Sequence, residues 1–229
     1  MRTLIFDMDG VLVDPVPSYR QALIETVEHF SGRRVDNDKI VELKNQGGYN
    51  DDYILARKLL SDLGRDVPFG EIVGHFKQLF YGANHDGLIL AERWLAADGM
   101  LSRLAQASRL AVFTGRSTRA AQFTLRRFAP DVVFDPVVTS DHVQNPKPAP
   151  DGLLAILDAV TGAKPLYIGD NVDDARAARA AGVPFVGIAA PDVPRRAEIE
   201  MLFRKEGARR VIENVNDLES VLASLNGDA

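Results

Sequence analysis

Asp7 and Asp9 stand one residue apart at the end of the apolar run Leu4-Ile5-Phe6, with Gly10 directly after them. A short apolar run of this kind reads as a buried strand that delivers two carboxylates to its C-terminal end. Acids withdrawn from water without partners are costly, so the fold must bring them a cation, a proton or hydrogen-bond donors. Three further segments carry groups that fit. Phe113-Thr114-Gly115-Arg116-Ser117 takes an apolar strand into a hydroxyl and a glycine turn, Asn145-Pro146-Lys147-Pro148-Ala149-Pro150 holds a lysine between prolines, and Ile168-Gly169-Asp170-Asn171-Val172-Asp173-Asp174 takes a strand into a cluster of acids. Each alone has a plain structural reading: a loop, a capped turn, a solvated lysine, or acids favoured at a helix N-terminus. Together they supply an oxygen-rich site suited to Mg2+, with a lysine and a hydroxyl suited to a phosphoryl group. These are the parts of a phosphoryl-transfer centre.

The elements that must position these groups follow from the hydrophobic pattern. Short buried strands are predicted at Thr3–Phe6, Leu110–Phe113, Val132–Val133 with Val137–Val138, Pro165–Ile168, Pro184–Ile188 and Arg210–Ile212. Between them lie Ala- and Leu-rich helical stretches at Thr118–Phe128, Pro150–Thr161, Asp173–Ala181, Pro194–Glu206 and Asn216–Leu225. Asp151 reads as a helix N-terminal residue, Gly182 as a C-cap, and Asn216 or Asp217 as the N-cap of the last helix, which ends in a frayed polar terminus. Strands alternating with helices imply βαβ units: an α/β fold with a doubly wound parallel sheet, in which ligands collect at the carboxyl ends of the strands. The interval from about Val16 to Trp94 breaks the rhythm, with helical periodicity over Tyr19–Phe30, Asn37–Leu43, Asp51–Leu63 and Phe69–Tyr81. The expected organisation is a core of residues 1–15 and 94–229 with a helical insert of residues 16–93, Trp94 packing at the return.

Composition narrows the function. At 229 residues, 46% hydrophobic and 26% charged, the chain has the make-up of an ordinary soluble protein with room for a full core. A net charge of -5 argues against a nucleic-acid surface, and no window reaches the roughly 18 apolar residues of a membrane span. With no cysteine, disulfide and thiolate chemistry are excluded and a reducing cytoplasm is the expected compartment. The first residues lack a signal-peptide layout, because Asp7 and Asp9 interrupt the apolar run. His29, His75, His85 and His142 show no metal-ligand spacing and read as structural or surface residues.

In this order the four segments resemble the signature of the haloacid dehalogenase superfamily. Asp7-Met8-Asp9-Gly10-Val11 matches its DxDG[VT] motif, Val112-Phe113-Thr114 its apolar pair followed by Ser or Thr, Lys147 its lysine, and Gly169-Asp170-Asn171-Val172-Asp173-Asp174 its GDxxxD motif. The helical insert is similar to the family's C1-type cap, so the resemblance spans the whole chain. It implies a Rossmann-like core and an aspartyl-phosphate mechanism with Asp7 as nucleophile and Asp9 as general acid and base. It places Mg2+ on Asp7, the main-chain carbonyl of Asp9 and Asp170, with Asp174 behind them orienting water or Lys147. Asp173 competes for Asp174's place; the Ala175-Arg176-Ala177-Ala178 run after Asp174 favours Asp174, and Asp173 is expected at most to add to the metal shell. Thr114 and the Gly115 N–H are implied donors to phosphoryl oxygens, Lys147 offsets the charge shared by Asp7 and phosphate, and Gly10 permits close backbone approach.

Asp9 also directs the chemistry, since dehalogenating and phosphonate-cleaving relatives usually lack an acid there. The reading is therefore a Mg2+-dependent phosphatase acting on a small phosphorylated metabolite. The alternatives are a phosphomutase of the same fold acting on a sugar phosphate and, from another class, a non-catalytic phosphate-binding or regulatory module. The superfamily's mutases use a cap histidine whose place falls on Tyr19, which ranks phosphatase first. In the insert, Lys44, Asn45, Tyr49 and Asn50 around Gly47-Gly48 correspond to the family's substrate-specificity loop, and Arg20 and Arg116 are further candidates for the substrate. Asp14-Pro15-Val16-Pro17-Ser18-Tyr19-Arg20 is similar to a branch of the superfamily linked with histidine biosynthesis, which puts histidinol phosphate among the candidates. A monomer or weak homodimer is expected, with no nucleic-acid or membrane partner.

Overall fold

The computed structural model describes residues 1–84, 86–160, 162 and 164–227. His85, Thr161 and the terminus at Asp228–Ala229 lie outside them, so the expectations placed there are not followed further. The chain divides into two compact units, Met1–Val13 with Trp94–Ala229, and Asp14–Arg93.

Strand β1 (Arg2–Phe6) opens the first unit. The second unit follows with α1 (Gln21–Ser31), α2 (Asn37–Gln46), α3 (Asp52–Asp62) and α4 (Phe69–Tyr81), preceded by a π-helical turn over Val16–Arg20. Local chemistry sets the ends of these helices. Asp36 accepts from Lys39 N at 2.8 Å, and Asp51 accepts from Tyr53 N and Ile54 N at 2.7 and 3.2 Å, both as N-caps. Gly32 closes α1 in the left-handed region at φ 70°. The core of this unit is Ile40, Leu55, Leu59, Ile72, Phe76 and Phe80, all essentially inaccessible. Tyr19 packs onto the Phe80 and Phe76 rings at 4.1 and 5.9 Å between centroids.

After the return, the first unit adds α5 (Met100–Ala107), β2 (Ser108–Phe113), α6 (Thr118–Phe128), β3 (Val137–Val138), α7 (Asp151–Ala159), β4 (Lys164–Gly169), α8 (Val172–Ala181), β5 (Phe185–Ile188), α9 (Arg196–Lys205), β6 (Arg210–Ile212) and α10 (Leu218–Gly227). The six strands form one sheet in the order β3-β2-β1-β4-β5-β6, and each pair is parallel. This is the doubly wound α/β architecture. Its central strands are apolar along their length because helices cover both faces; Leu4, Ile5 and Phe6 are fully buried, as are Val112 and Ile168. The register aligns Phe6 with Val112 on one side and Ile168 on the other, so the residues after β1, β2 and β4 emerge at one edge.

The structure departs from the pattern reading in three places. Val132–Val133 is not a strand: pairing with β2 begins only at Asp135, whose N–H donates to Leu110 O at 2.8 Å, and Val133 is 77% exposed. Helix α5 escaped the periodicity because it has eight residues between Gly99 and Ser108; its Met100, Leu101 and Leu104 are buried. The cap of the last helical segment lies earlier than expected. Asn214 accepts from Asn216 N at 2.9 Å while Asp217 accepts from Asn214 N at 3.3 Å, capping a short 3-10 turn ahead of α10. Asn216 instead holds the returning chain, accepting from Ala97 N at 2.7 Å and donating to Leu95 O at 3.0 Å. Gly182 closes α8 in the left-handed region as expected, and His142 serves a local cap, its Nδ1 accepting from Thr139 N at 3.2 Å. No helix among the described residues is long and apolar enough to cross a membrane.

In the second unit, the rings of His29 on α1 and His75 on α4 meet edge to face at 4.0 Å. Neither His75 ring nitrogen reaches water or a hydrogen-bond partner among the described residues. Burial lowers the His75 pKa below its ordinary value; His29 adds to this and Glu25 opposes it. Below the ordinary imidazole pKa of about 6.5 the unfolded chain therefore binds a proton that the folded unit resists, so stability is lost as the pH falls. Melting temperatures at pH 8 and pH 5 should differ more in the wild type than in His75→Phe. An equal difference in both proteins would remove His75 from the account.

Candidate active site

The first carboxylate is carried by the extension of β1. Asp7 N–H donates to Ile168 O at 2.9 Å, continuing the strand pairing by one residue. The chain then curls, with the N–H groups of Leu12 and Val13 directed at Met8 O at 2.8 and 2.9 Å. Strand alternation sends Met8 into the core, fully buried, and leaves Asp7 and Asp9 at the carboxyl edge. Gly10, at φ 72°, is required by a neighbour across the sheet: a Cβ there would lie 1.9 Å from Asp170 Oδ2. The glycine thus makes room for the Asp170 carboxylate that follows β4.

Helix capping places the next acid. Asn171 is the N-cap of α8 and accepts from Asp173 N at 3.0 Å, while Asp174, at the third helical position, accepts from Asn171 N–H through Oδ2 at 3.0 Å. The other Asp174 oxygen faces inward, 2.7 Å from Lys147 Nζ and 2.7 Å from the Tyr167 hydroxyl that donates to it. Gly169 is needed beside it, since a Cβ there would stand 2.6 Å from the Asp174 side chain. Asp173 points elsewhere: its Oδ1 is 3.6 Å from Arg176 Nη1. Asp7, Asp170 and Asp174 each offer an oxygen within 4.8 Å of the others, so they form a three-carboxylate group to which Asp173 does not contribute.

Lys147 is the cation of this group. Its Nζ lies 3.1 Å from Asp7 Oδ1 and 2.7 Å from Asp174 Oδ1, with its side chain 1% exposed. It is directed there from a loop joined to Pro148 by a cis peptide bond and fastened by Asp151, whose Oδ2 accepts from Asn145 N at 3.2 Å and Nδ2 at 2.9 Å. The ammonium also stands over the Phe113 ring at 4.7 Å. Burial pushes the Asp7 carboxyl up to about 7; Lys147 opposes that rise, and the charges of Asp174 and Asp9 add to it. Burial works against the charge on Lys147, but Asp174 and Asp7 outweigh it and hold the ammonium above the ordinary lysine value. Tyr167 is pushed far up by burial, then by Asp174 and Asp7, and remains a donor. Its role was not visible in the sequence, where it reads as one more large residue of a buried strand.

The turn after β2 brings the remaining core residues. Thr114 is buried; its N–H donates to Val138 O at 3.0 Å and its Oγ1 accepts from Arg116 N at 3.2 Å. Gly115 is exposed at the tip of the turn. Arg116, expected to face substrate, is turned onto Asp9: Nε donates to Oδ2 at 2.8 Å and Nη2 to Oδ1 at 2.6 Å.

The other candidates lie in the second unit. Arg20 donates to Asn37 Oδ1 at 2.6 Å. Lys44 pairs with Asp52 at 2.8 Å across the turn made by Gly47 and Gly48, which have φ 84° and 82°. Asn45 is buried with its Nδ2 unpartnered among the described residues. Tyr49 lines a cavity of about 540 Å³ with Arg57, Lys58 and Arg65, and Asn50 is partly exposed beside it in sequence.

Similarity to known proteins agrees with this arrangement. The model of the haloacid dehalogenase-like hydrolase family matches residues 1–182. Over 209 residues the chain is 27% identical to a phosphoglycolate phosphatase of Escherichia coli K12, covering 82% of this chain and 81% of that protein. It is 32% identical over 209 residues to an imidazoleglycerol-phosphate dehydratase of Phytophthora nicotianae; the match covers 87% of this chain and 46% of the relative, so the chain spans about half that protein's length. A haloacid dehalogenase-like protein of unknown function from Agrobacterium tumefaciens superposes with a TM-score of 0.74 over 99% of both chains at 19% identity, a likeness of fold. The buried carboxylates with their lysine, the doubly wound sheet that gathers them, and the match over residues 1–182 agree: the chain is a member of the haloacid dehalogenase-like hydrolase family.

Proposed function

We propose that the protein is a Mg2+-dependent phosphatase that hydrolyses a small phosphate monoester through an aspartyl-phosphate on Asp7. The observation that carries this reading is the convergence of Asp7, Asp170, Asp174 and Lys147 at one end of β1 and β4. In the chemistry proposed, an Asp7 oxygen attacks phosphorus as the bond to the leaving oxygen breaks, and Asp9 gives that oxygen a proton. Water then attacks the phosphorus of the acyl phosphate and passes a proton back to Asp9, releasing phosphate and restoring Asp7. Lys147 offsets negative charge at Asp7, while the Thr114 hydroxyl and Gly115 N–H bind phosphoryl oxygens.

The donor set fits Mg2+. Three carboxylates face one ammonium, and a carboxyl pushed up to about 7 is a poor nucleophile at neutral pH. Oxygen ligands with excess negative charge are what a hard divalent ion takes. Asp7 and Asp170, with the Asp9 carbonyl, would hold it; Asp174 already serves Lys147, Tyr167 and Asn171 and supports the group from behind. Bound Mg2+ would supply positive charge against Asp7 and the phosphoryl oxygens.

Tyr19, at the place of the mutase histidine, is committed to packing on Phe80 and Phe76, which supports hydrolysis over isomerisation. The relatives' names bring 2-phosphoglycolate and imidazole-bearing phosphates such as histidinol phosphate into the substrate panel, alongside a hexose phosphate whose isomerisation would reveal a mutase.

Asp7→Asn should remain folded by circular dichroism and lose at least about 10³-fold in kcat; phosphate release at the wild-type rate would refute the nucleophile. Lys147→Met should lower kcat by about 10²–10³-fold, and unchanged turnover would remove the lysine from the chemistry. Incubation with EDTA should abolish phosphate release and added Mg2+ restore it, whereas full activity in chelator would rule out the metal.

A further inference from the structure

Asp9 and Asp7 are separated only by Met8, yet each has its own cation. Lys147 serves Asp7, and Arg116 serves Asp9 with two parallel bonds of 2.8 and 2.6 Å. The Arg116 side chain is 1% exposed. Its remaining terminal nitrogen, Nη1, donates to Thr124 Oγ1 on α6 at 2.9 Å. The backbone of Arg116 is fastened as well: its N–H donates to Thr114 Oγ1 at 3.2 Å, and its carbonyl accepts from Ser140 N at 3.0 Å and Ser140 Oγ at 3.1 Å. An arginine anchored at both ends, with Nε, Nη1 and Nη2 each directed onto a protein oxygen, is not arranged to greet a ligand.

We infer that Arg116 is a positioning residue for the acid–base carboxylate: it grips both Asp9 oxygens and fixes where they stand at the edge of the sheet. The inference rests on Asp9 acting as the acid and base proposed above. A planar fork sets both the location and the plane of the carboxylate it holds, which a lysine, as a point charge, does not. The Asp9 side chain keeps 30% of its surface open while so held, leaving it an accessible side for proton transfer. A misplacement of about 1 Å in such a group costs on the order of 10²-fold in rate. The turn after β2 therefore has two duties: Thr114 and Gly115 present phosphoryl donors, and Arg116 reaches back to hold the proton carrier. Thr124, one α-helical side chain away from the chemistry, sets the guanidinium in turn.

The leaving group provides the test. An alkyl alcohol needs a proton as it departs, whereas p-nitrophenolate does not, so damage confined to Asp9 lowers kcat/KM, which reports this first step, for the alkyl ester and spares it for p-nitrophenyl phosphate. For Arg116→Met, kcat/KM for the best alkyl monoester of the panel should fall roughly 100-fold and that for p-nitrophenyl phosphate by less than about 5-fold, with KM held within about 3-fold. Thr124→Val, which keeps the arginine and the side-chain shape, should show the same selectivity at about 2- to 10-fold, and decides the matter alone if Arg116→Met does not fold. In an Asp9→Asn background, Arg116→Met should cost less than about 3-fold more. Equal losses on both esters, a KM effect with kcat intact, or full additivity with Asp9→Asn would overturn the inference. If Asp9→Asn itself hydrolyses the alkyl ester normally, the acid–base reading falls and the inference with it. If Asp9→Asn is selective and Arg116→Met is not, the inference alone fails.

Discussion

The structure of the site turns on the burial of one carboxylate. Asp7 is 4% exposed and has two other acids of the site within ligand-sharing distance. In a low-dielectric interior, like charges so close cannot all remain ionised without compensation. Lys147 supplies one positive charge, held between Asp7 and Asp174, and three acids exceed what one ammonium offsets. Burial raises Asp7 to about 7 against the opposing charge of Lys147, and the charges of Asp174 and Asp9 add to the rise. A buried ion pair of this kind is weak evidence for stability; its value lies in a site tensioned toward further positive charge and toward a phosphoryl group at the edge of the sheet.

Nearly every feature around that carboxylate is made from ordinary folding chemistry. Parallel strands β1 and β4 end in register, which brings Asp7 and Asp170 together. A capping box at α8 aims Asp174 inward. The loop that carries Lys147 is pinned by Asp151, a first-turn residue of α7. Gly10 and Gly169 are the places where a methyl group would strike Asp170 or Asp174. The groups of the proposed site thus sit on strand ends and helix caps whose own hydrogen bonds fix them, which is how precise sites are held.

The fold class was legible in the sequence because central parallel strands are apolar along their whole length: Leu4–Phe6 and Leu110–Phe113 have no polar alternation to confuse with another state. The acids and the lysine were legible because each is displayed at the end of such a run or between prolines. Direction was harder to read. Arg116 follows Thr114 and Gly115 toward the open edge in sequence, and only the distance to Asp9 and Thr124 shows that it turns back. Tyr167 alternates into the buried face like any aromatic of β4, and its hydroxyl gained meaning only once Asp174 lay 2.7 Å away. Val132–Val133 carried a strand-like composition but no partner in register, since β2 is first met at Asp135. Pairs separated by a hundred residues leave no local pattern.

The stereochemical course at phosphorus tests the central claim, covalent catalysis by Asp7, most directly. Hydrolysis of an isotopically chiral phosphate monoester should proceed with net retention, the outcome of two successive in-line displacements, first by the Asp7 carboxylate and then by water. Net inversion would mean that water attacks the ester directly, and would contradict the account.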